Sequence, residues 1–172
     1  MSGEAPQLVV DDRQQLGRGR GVAAVDGIQD PGNVGTIIRS SVASGVASEI
    51  RLRRSADPYS PKVVRSAAGA IFRIPVKRYD AVEDVLYGCT EPILICDATG
   101  TTSIEEFDWS ASVTLILGSE GNGASSELIE RSSASVRIPI SPHAESLNVA
   151  VAASIILFEI ARQRRSAASR SN

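Results

Sequence analysis

Three stretches of this 172-residue chain place polar side chains beside glycine or proline, where a strand should give way to a helix. The first, DPGNVGTIIRSSVASG, runs from Asp30 to Gly45 and puts Asn33 in a tight turn with Arg39 six residues on. On a helix those two positions lie about a third of a turn apart in rotation. Pro31, Gly32 and Gly35 leave backbone N–H groups exposed at a helix N-terminus, an arrangement that can meet a phosphate. The spacing is neither a Walker loop nor GxGxxG, so glycines alone argue no nucleotide cofactor. The second stretch, LILGSEGNGAS from Leu115 to Ser125, ends an apolar strand at Gly118 and brackets Asn122 between Gly121 and Gly123. Glycines so close together let a backbone approach a ligand and adopt positive φ. Glu120 there either favours the N-terminus of the next helix by its charge or faces a bound molecule. The third, IPISPHAESLNVAVAASIILFE from Ile138 to Glu159, passes Pro139 and Pro142 and enters a long helix. Asn148, Ala152, Ile155, Ile156 and Glu159 mark its spacing, and Ser146 sits where a helix start wants a hydroxyl. Asn148 is an amide in the first turn of an apolar helix, costly unless its hydrogen bonds are met. It reads equally as a loop anchor and as a ligand contact.

The pattern IPI-x4-ESLNVAVAASIILFE resembles the third signature of the SpoU/TrmH branch of the SPOUT RNA methyltransferases, and the first two stretches resemble its other signatures in order. DPYSPKVVRSAAGAIFRIPV, Asp57 to Val76, and ICDATG, Ile95 to Gly100, are similar to the family as well, so the resemblance extends from Gly21 to Arg164. It implies a parallel α/β sheet flanked by helices, with a C-terminal trefoil knot that no periodicity could suggest. It implies S-adenosylmethionine as cofactor, held by Ala98 and Thr99, by Leu117, Gly118 and Gly121, and by Ile138, Ile140, Ser146, Leu147 and Asn148. It assigns catalysis to Arg39 with Asn33, Glu120 and Asn148, and RNA contact to Arg39, Lys62 and Arg65. Lys62 and Arg65, three apart on one helix, share a face and could follow a phosphate backbone. It also implies a homodimer through the first and last helices. The chain departs from the family at Pro142, where glycine is usual, and proline removes a donor and fixes φ. The resemblance gives the lone histidine, His143, no role.

The implied reaction is methyl transfer to a ribose 2′-hydroxyl of RNA, with ribosomal RNA favoured over tRNA. Holding the methyl carbon in line with its nucleophile supplies most of such an acceleration. Guanidinium does not readily give up its proton, so Arg39 is expected to stabilise developing charge, not to act as a base. Four rivals are weighed. One is a SPOUT enzyme methylating a base nitrogen instead of a ribose, and the SLN form of the third signature favours ribose. A tRNA ribose methyltransferase of minimal size would use the same residues. A non-catalytic RNA- or cofactor-binding module would keep the glycine loops and lose Arg39 or Asn148, but both are present. A Rossmann dehydrogenase needs GxGxxG after the first strand, which DPGNVG does not supply.

The elements that must position these residues follow an alternating pattern. GVAAVDGI, EIRLR, IFRIPV, PILICDA, SVTLILG and SVRIPI read as strands, separated by helical stretches that include YSPKVVRSAAG, DAVEDVLYG and ASSELIERS. That alternation predicts a parallel sheet covered on both faces. Residues 1–20 read as a tail or linker remnant, 21–165 as the methyltransferase domain and 166–172 as a disordered tail. Net charge is −2, so RNA must be met by local clusters: Arg51, Arg53 and Arg54; Lys62 and Arg65; Arg73, Lys77 and Arg78; Arg162, Arg164 and Arg165. Aromatics are few, which argues against a base-stacking platform. Cys89 and Cys96 lack CxxC spacing and read as reduced thiols, with no metal site. No apolar run reaches 18 residues, so a cytoplasmic protein without a membrane span is expected.

Overall fold

The computed structural model describes residues 21–89, 92–119 and 121–170. Along the chain come β1 (Gly21–Asp26), α1 (Pro31–Ser44), β2 (Ala47–Arg53), α2 (Pro61–Ala67) and a 3₁₀ turn (Ala70–Phe72). There follow β3 (Val76–Tyr79), α3 (Val82–Leu86), β4 (Ile93–Cys96), β5 (Thr102–Ser103) and β6 (Thr114–Leu117). α4 (Ser126–Glu130), β7 (Ala134–Arg137) and α5 (Val149–Arg170) complete it. The seven strands form one sheet in the order β3-β2-β1-β6-β4-β7-β5, every pair parallel.

Alternation along the central strands sends side chains to two separate cores. Ala23, Val25, Leu115, Leu117 and Leu94 face α1, α2 and α5; Ala24, Ile116, Ile93 and Ile95 face α3 and α4. Strands buried on both faces read as continuous apolar runs, which is why PILICDA and SVTLILG carry so little polarity. No helix among the described residues is long and apolar enough to cross a membrane.

Four expectations need correction. IFRIPV is not a strand: residues 70–72 make a 3₁₀ turn and β3 begins at Val76. A three-residue repeat then buries Ile71 and Ile74 together, which an alternating strand could not do. The two-residue β5 had no pattern long enough to detect. Helix α5 begins at Val149, not beside Ser146, and continues to Arg170, so residues 166–170 extend a helix where a tail was expected. Alanine-rich SAASR suits this, and Ser169 Oγ donates back to the Arg165 carbonyl at 3.0 Å. Lastly, several arginines read as free surface cations are engaged by the protein's own groups, and two of them are buried. Arg51 and Arg53 are 8% and 2% exposed. Arg164 donates from Nε to the Trp109 carbonyl (2.9 Å) and from Nη2 to that of Ala111 (2.6 Å), and Arg162 pairs with Glu159.

Helices α1 and α2 pack so closely that Gly35 has no room for a side chain. A Cβ there would lie 1.8 Å from Ser66 Oγ and 2.9 Å from the Ala67 nitrogen. Ser66 Oγ also donates to the Pro31 carbonyl at 3.2 Å, fixing α2 against the start of α1. Gly35→Ala is therefore expected to cost about 1–3 kcal/mol by overpacking, measured by denaturant unfolding. Ser66→Gly in the same chain should recover part of the loss, although the backbone contact at Ala67 remains.

Candidate active site

The cavity lies beyond the carboxyl ends of β4 and β6, where open α/β sheets usually place their ligands. It holds about 250 Å³ and is walled by three segments. Cys96, Asp97 and Ala98 follow β4; Leu117, Gly118, Ser119 and Gly123 follow β6; Ile138, Ile140, Ser146 and Leu147 lead from β7 into α5, whose Val149 and Ala152 close the space.

Each wall is stiffened by its own hydrogen bonds. Asp97 Oδ1 accepts from both the hydroxyl and the backbone N–H of Thr99, each at 2.6 Å. Those bonds, the hydroxyl first, hold the Asp97 carboxyl below its ordinary value, so it is anionic at neutral pH. The neighbouring Cys96 thiol is pushed up to about 11, by burial first and by the Asp97 charge second, and stays neutral there. In the second wall, Ser119 and Gly123 exchange two backbone bonds of 3.0 and 2.9 Å, closing a tight loop. Gly123 takes φ +66°, and a Cβ on Gly118 would meet the Ala124 nitrogen at 2.1 Å. These two glycines are required, one by conformation and one by close approach.

Beneath that loop lies a buried ion pair that sequence reasoning missed. Arg53 Nη1 donates to Asp26 Oδ1 (3.0 Å) and Ser125 Oγ (3.1 Å), Nη2 to Glu127 Oε2 (3.1 Å), and Nε to the Asp80 carbonyl (3.1 Å). Asp26 Oδ2 accepts from the Ser125 N–H at 2.9 Å. The end of β1, the end of β2 and the far end of the 118–125 loop are thus tied at one point.

The third wall depends on Asn148. Its Oδ1 accepts from the N–H groups of Ala150 (2.9 Å) and Val151 (3.2 Å), so Asn148 caps α5, the role expected of Ser146. Its Nδ2 donates to Asn33 Oδ1 at 3.0 Å, across 115 positions of sequence. Asn33 sits in the first turn of α1, where its own N–H donates to Asp30 Oδ1 at 2.9 Å. That bond is the main reason the Asp30 carboxyl lies below its ordinary value. Farther along, Ser40 and Ser154 hydroxyls meet at 2.7 Å between α1 and α5.

The expected site residues therefore divide. Ala98, Leu117, Gly118, Ile138, Ile140, Ser146 and Leu147 line the cavity. Thr99 is exposed and bonded to Asp97 outside the cavity lining, Gly121 is exposed at the loop tip, and Asn148 joins the first and third stretches. Arg39 is exposed on α1, with no hydrogen bond or ion pair among the described residues. Lys62 pairs with Asp30 at 3.7 Å, and Arg65 is exposed on α2. Glu120 lies outside the described residues. The backbone turn at 141–144 is held by the Ser141 hydroxyl and carbonyl, accepting from the N–H groups of His143 (3.3 Å) and Ala144 (3.0 Å). Cys96, Asp97, Ser119, Val149 and Ala152 line the cavity without having been assigned to it, as does Gly123, which was read only as a point of close backbone approach. Asp97 had a signal, as the first acid after an apolar strand.

A family model described as the SpoU rRNA methylase family matches residues 21–158. The 23S rRNA (guanosine(2553)-2′-O)-methyltransferase of Bacillus subtilis is 35% identical over 163 residues, covering 91% of this chain and 66% of that protein. An uncharacterized tRNA/rRNA methyltransferase of Synechocystis is 37% identical over 145 residues, covering 83% of this chain and 53% of its own length. Among solved structures, the SpoU methyltransferase AviRb from Streptomyces viridochromogenes, in complex with AdoMet, superposes with a TM-score of 0.81 at 32% identity. That match covers 91% of this chain and 63% of AviRb. The chain thus spans between about half and two thirds of the length of these relatives.

Asn148→Ala removes the α5 cap and the tie to α1 together. The expected loss is about 1–2 kcal/mol in chemical denaturation. Asn33→Ala, which keeps the cap, should cost less. Equal losses would mean that the tie, not the cap, carries the stability.

Proposed function

The chain belongs to the SpoU rRNA methylase family, and from that premise we propose that it transfers a methyl group from S-adenosylmethionine to a ribose 2′-hydroxyl of ribosomal RNA. The observation that carries this reading is the 3.0 Å bond from Asn148 to Asn33, which sets the helix of Arg39 against the entrance of the cavity-forming helix. The choice of ribosomal RNA rests on the Bacillus subtilis relative, whose name specifies 2′-O-methylation of 23S rRNA.

The lining fits the cofactor. At about 250 Å³ the cavity is a little below the roughly 300 Å³ at which drug-sized pockets begin, which suits a nucleoside-sized portion. Leu117, Ile138, Ile140 and Leu147 offer apolar surface for a flat base, and the anionic Asp97 offers a counter-charge to a cationic group. The neutral Cys96 thiol beside it adds no competing charge. When bound, the cofactor supplies an electrophilic methyl group on a sulfonium. The protein's own task is to exclude water from that carbon and to hold the ribose oxygen in line with it. The Arg39 guanidinium stabilises charge developing on that oxygen or on an adjoining phosphate. Asn33 and Asn148 keep α1 and α5 in register so that this charge is already in place.

The same reading includes a homodimer and a trefoil knot. Val151, Ile155 and Phe158 form an exposed apolar stripe on α5, 47%, 38% and 49% exposed, a surface suited to a second copy of the chain. Support for the knot is that β7 lies between β4 and β5, strands joined by only the short 97–101 connection. Ile155→Asp should shift light scattering from dimer to monomer at micromolar concentration; a parent chain that is already monomeric would remove the dimer.

Arg39→Ala should lower single-turnover methyl transfer by about 10²–10³, with cofactor affinity by calorimetry nearly unchanged. Normal turnover in that variant would reduce the first stretch to a structural turn. Absence of cofactor binding by the folded parent would remove the methyltransferase reading itself.

A further inference from the structure

We propose that residues 58–78 form a single-stranded RNA platform in which a nucleobase stacks on Phe72 while Arg65 and Arg73 hold flanking phosphates. This rests on the RNA methyltransferase reading and names the surface by which the substrate is held.

The segment is one-sided in charge. Across 58–78 the chain carries Lys62, Arg65, Arg73, Lys77 and Arg78 and no aspartate or glutamate, although its overall net charge is −2. Lys62 is engaged by Asp30 at 3.7 Å and Lys77 by Glu49 at 3.1 Å. The side chains of Arg65, Arg73 and Arg78 are exposed and have no hydrogen bond or ion pair among the described residues. A basic surface of this kind complements a polyanion, and the phosphate backbone is its natural occupant.

The low aromatic count argues against a run of stacked bases, but within this segment two of the chain's few rings point outward, which suffices for one base. Phe72 is 72% exposed and Tyr59 64%. The backbone explains how Phe72 comes to be displayed. The 3₁₀ turn buries Ala70 (5%) and Ile71 (6%), and Ile74 three residues on is 7% exposed, so Phe72 and Arg73 are left side by side in solvent. The turn is held by Phe72 N–H donating to the Gly69 carbonyl (3.3 Å) and Arg73 N–H to that of Ala70 (2.9 Å). The Tyr59 hydroxyl donates to the Val76 carbonyl at 3.4 Å, which draws the two ends of the segment together. An exposed ring beside an unpaired guanidinium offers stacking and a phosphate contact at adjacent positions, and every base has a face to stack.

The platform also stands next to the candidate active site. Ser66 of α2 bonds the Pro31 carbonyl of α1, and Gly35 of α1 touches Ser66 and Ala67. The same helix carries Asn33 and Arg39. RNA lying on 58–78 would therefore run alongside the helix whose arginine meets the ribose.

The test is binding of short single-stranded RNA oligomers to the whole chain by fluorescence anisotropy across a salt series. Calorimetry with S-adenosylmethionine is run on the same preparations. Phe72→Ala should weaken RNA binding about tenfold or more and leave the salt slope unchanged, and Phe72→Trp should restore affinity. Arg73→Ala should lower the slope of log affinity against log salt by about 0.7, one phosphate contact on a single strand. Cofactor affinity should not move in any of the three variants. RNA affinity indifferent to Phe72, or duplex binding equal to single-strand binding, would overturn the proposal. So would a parent that binds no RNA, or a Phe72→Ala chain that changes oligomeric state in light scattering. RNA binding that depends on Phe72 in a chain with no cofactor affinity would uphold the platform and reject the methyltransferase reading.

Discussion

One side-chain amide holds the two ends of this architecture together. Asn148 uses its oxygen to cap α5 and its nitrogen to reach Asn33, so the helix that closes the cavity and the helix that carries Arg39 are fixed by the same residue. The bond is exposed, and alone it would be worth little in water. Its leverage comes from what surrounds it. Ala153, Ile156 and Ile160 of α5 share a core with Ile37 and Ile38 of α1, and Ser40 meets Ser154. Apolar burial brings the helices together without specifying their register, because it is non-directional. The amide specifies it. Aspartate at this position could cap the helix but could not donate, and alanine could do neither.

A second constraint acts from below. Every nitrogen of the Arg53 guanidinium has an acceptor, and both oxygens of Asp26 are used. A buried pair of this kind offsets its desolvation only when fully satisfied, and removing one partner strands the other. Its placement under the 118–125 loop gives that loop a fixed floor. The glycines of the loop can then serve close approach to the cavity without surrendering its position.

The fold was legible because parallel strands buried on both faces announce themselves as short apolar runs between helices. PILICDA and SVTLILG could be placed to within two residues, as β4 and β6. The ordered signatures drew attention to segments that the fold brings to one cavity, with Ala98, Gly118, Ile138 and Leu147 all in its lining. What could not be read depended on distant partners. Whether Arg53 is surface or core is decided by Asp26, Ser125 and Glu127, and nothing in EIRLR contains them. Ser146 and Asn148 both satisfy local rules for a helix cap, and only the position of Asn33 in space separates them. IFRIPV satisfies a strand pattern as well as a 3₁₀ turn, and the choice is made by where Ile71 and Ile74 find a core.

The arginines sort by the same logic, and the sorting bears on function. Loops at the sheet ends leave carbonyls without strand partners, and buried carbonyls need donors. Arg51 supplies Val85 and Tyr87, Arg53 supplies Asp80, Arg137 supplies Gly100 and Thr101, and Arg164 supplies Trp109 and Ala111. A guanidinium suits the task because its planar fork can serve two carbonyls at once. Positive charge consumed in this way contributes little to the outer surface. Counting basic residues therefore overstates the field available to a polyanion everywhere except where the fold has left them unengaged. The 58–78 segment is such a place, since Arg65, Arg73 and Arg78 close no loop. In a chain with net charge −2, positive potential at the surface then comes from position and not from excess, and the 58–78 segment places part of it beside the helix of Arg39.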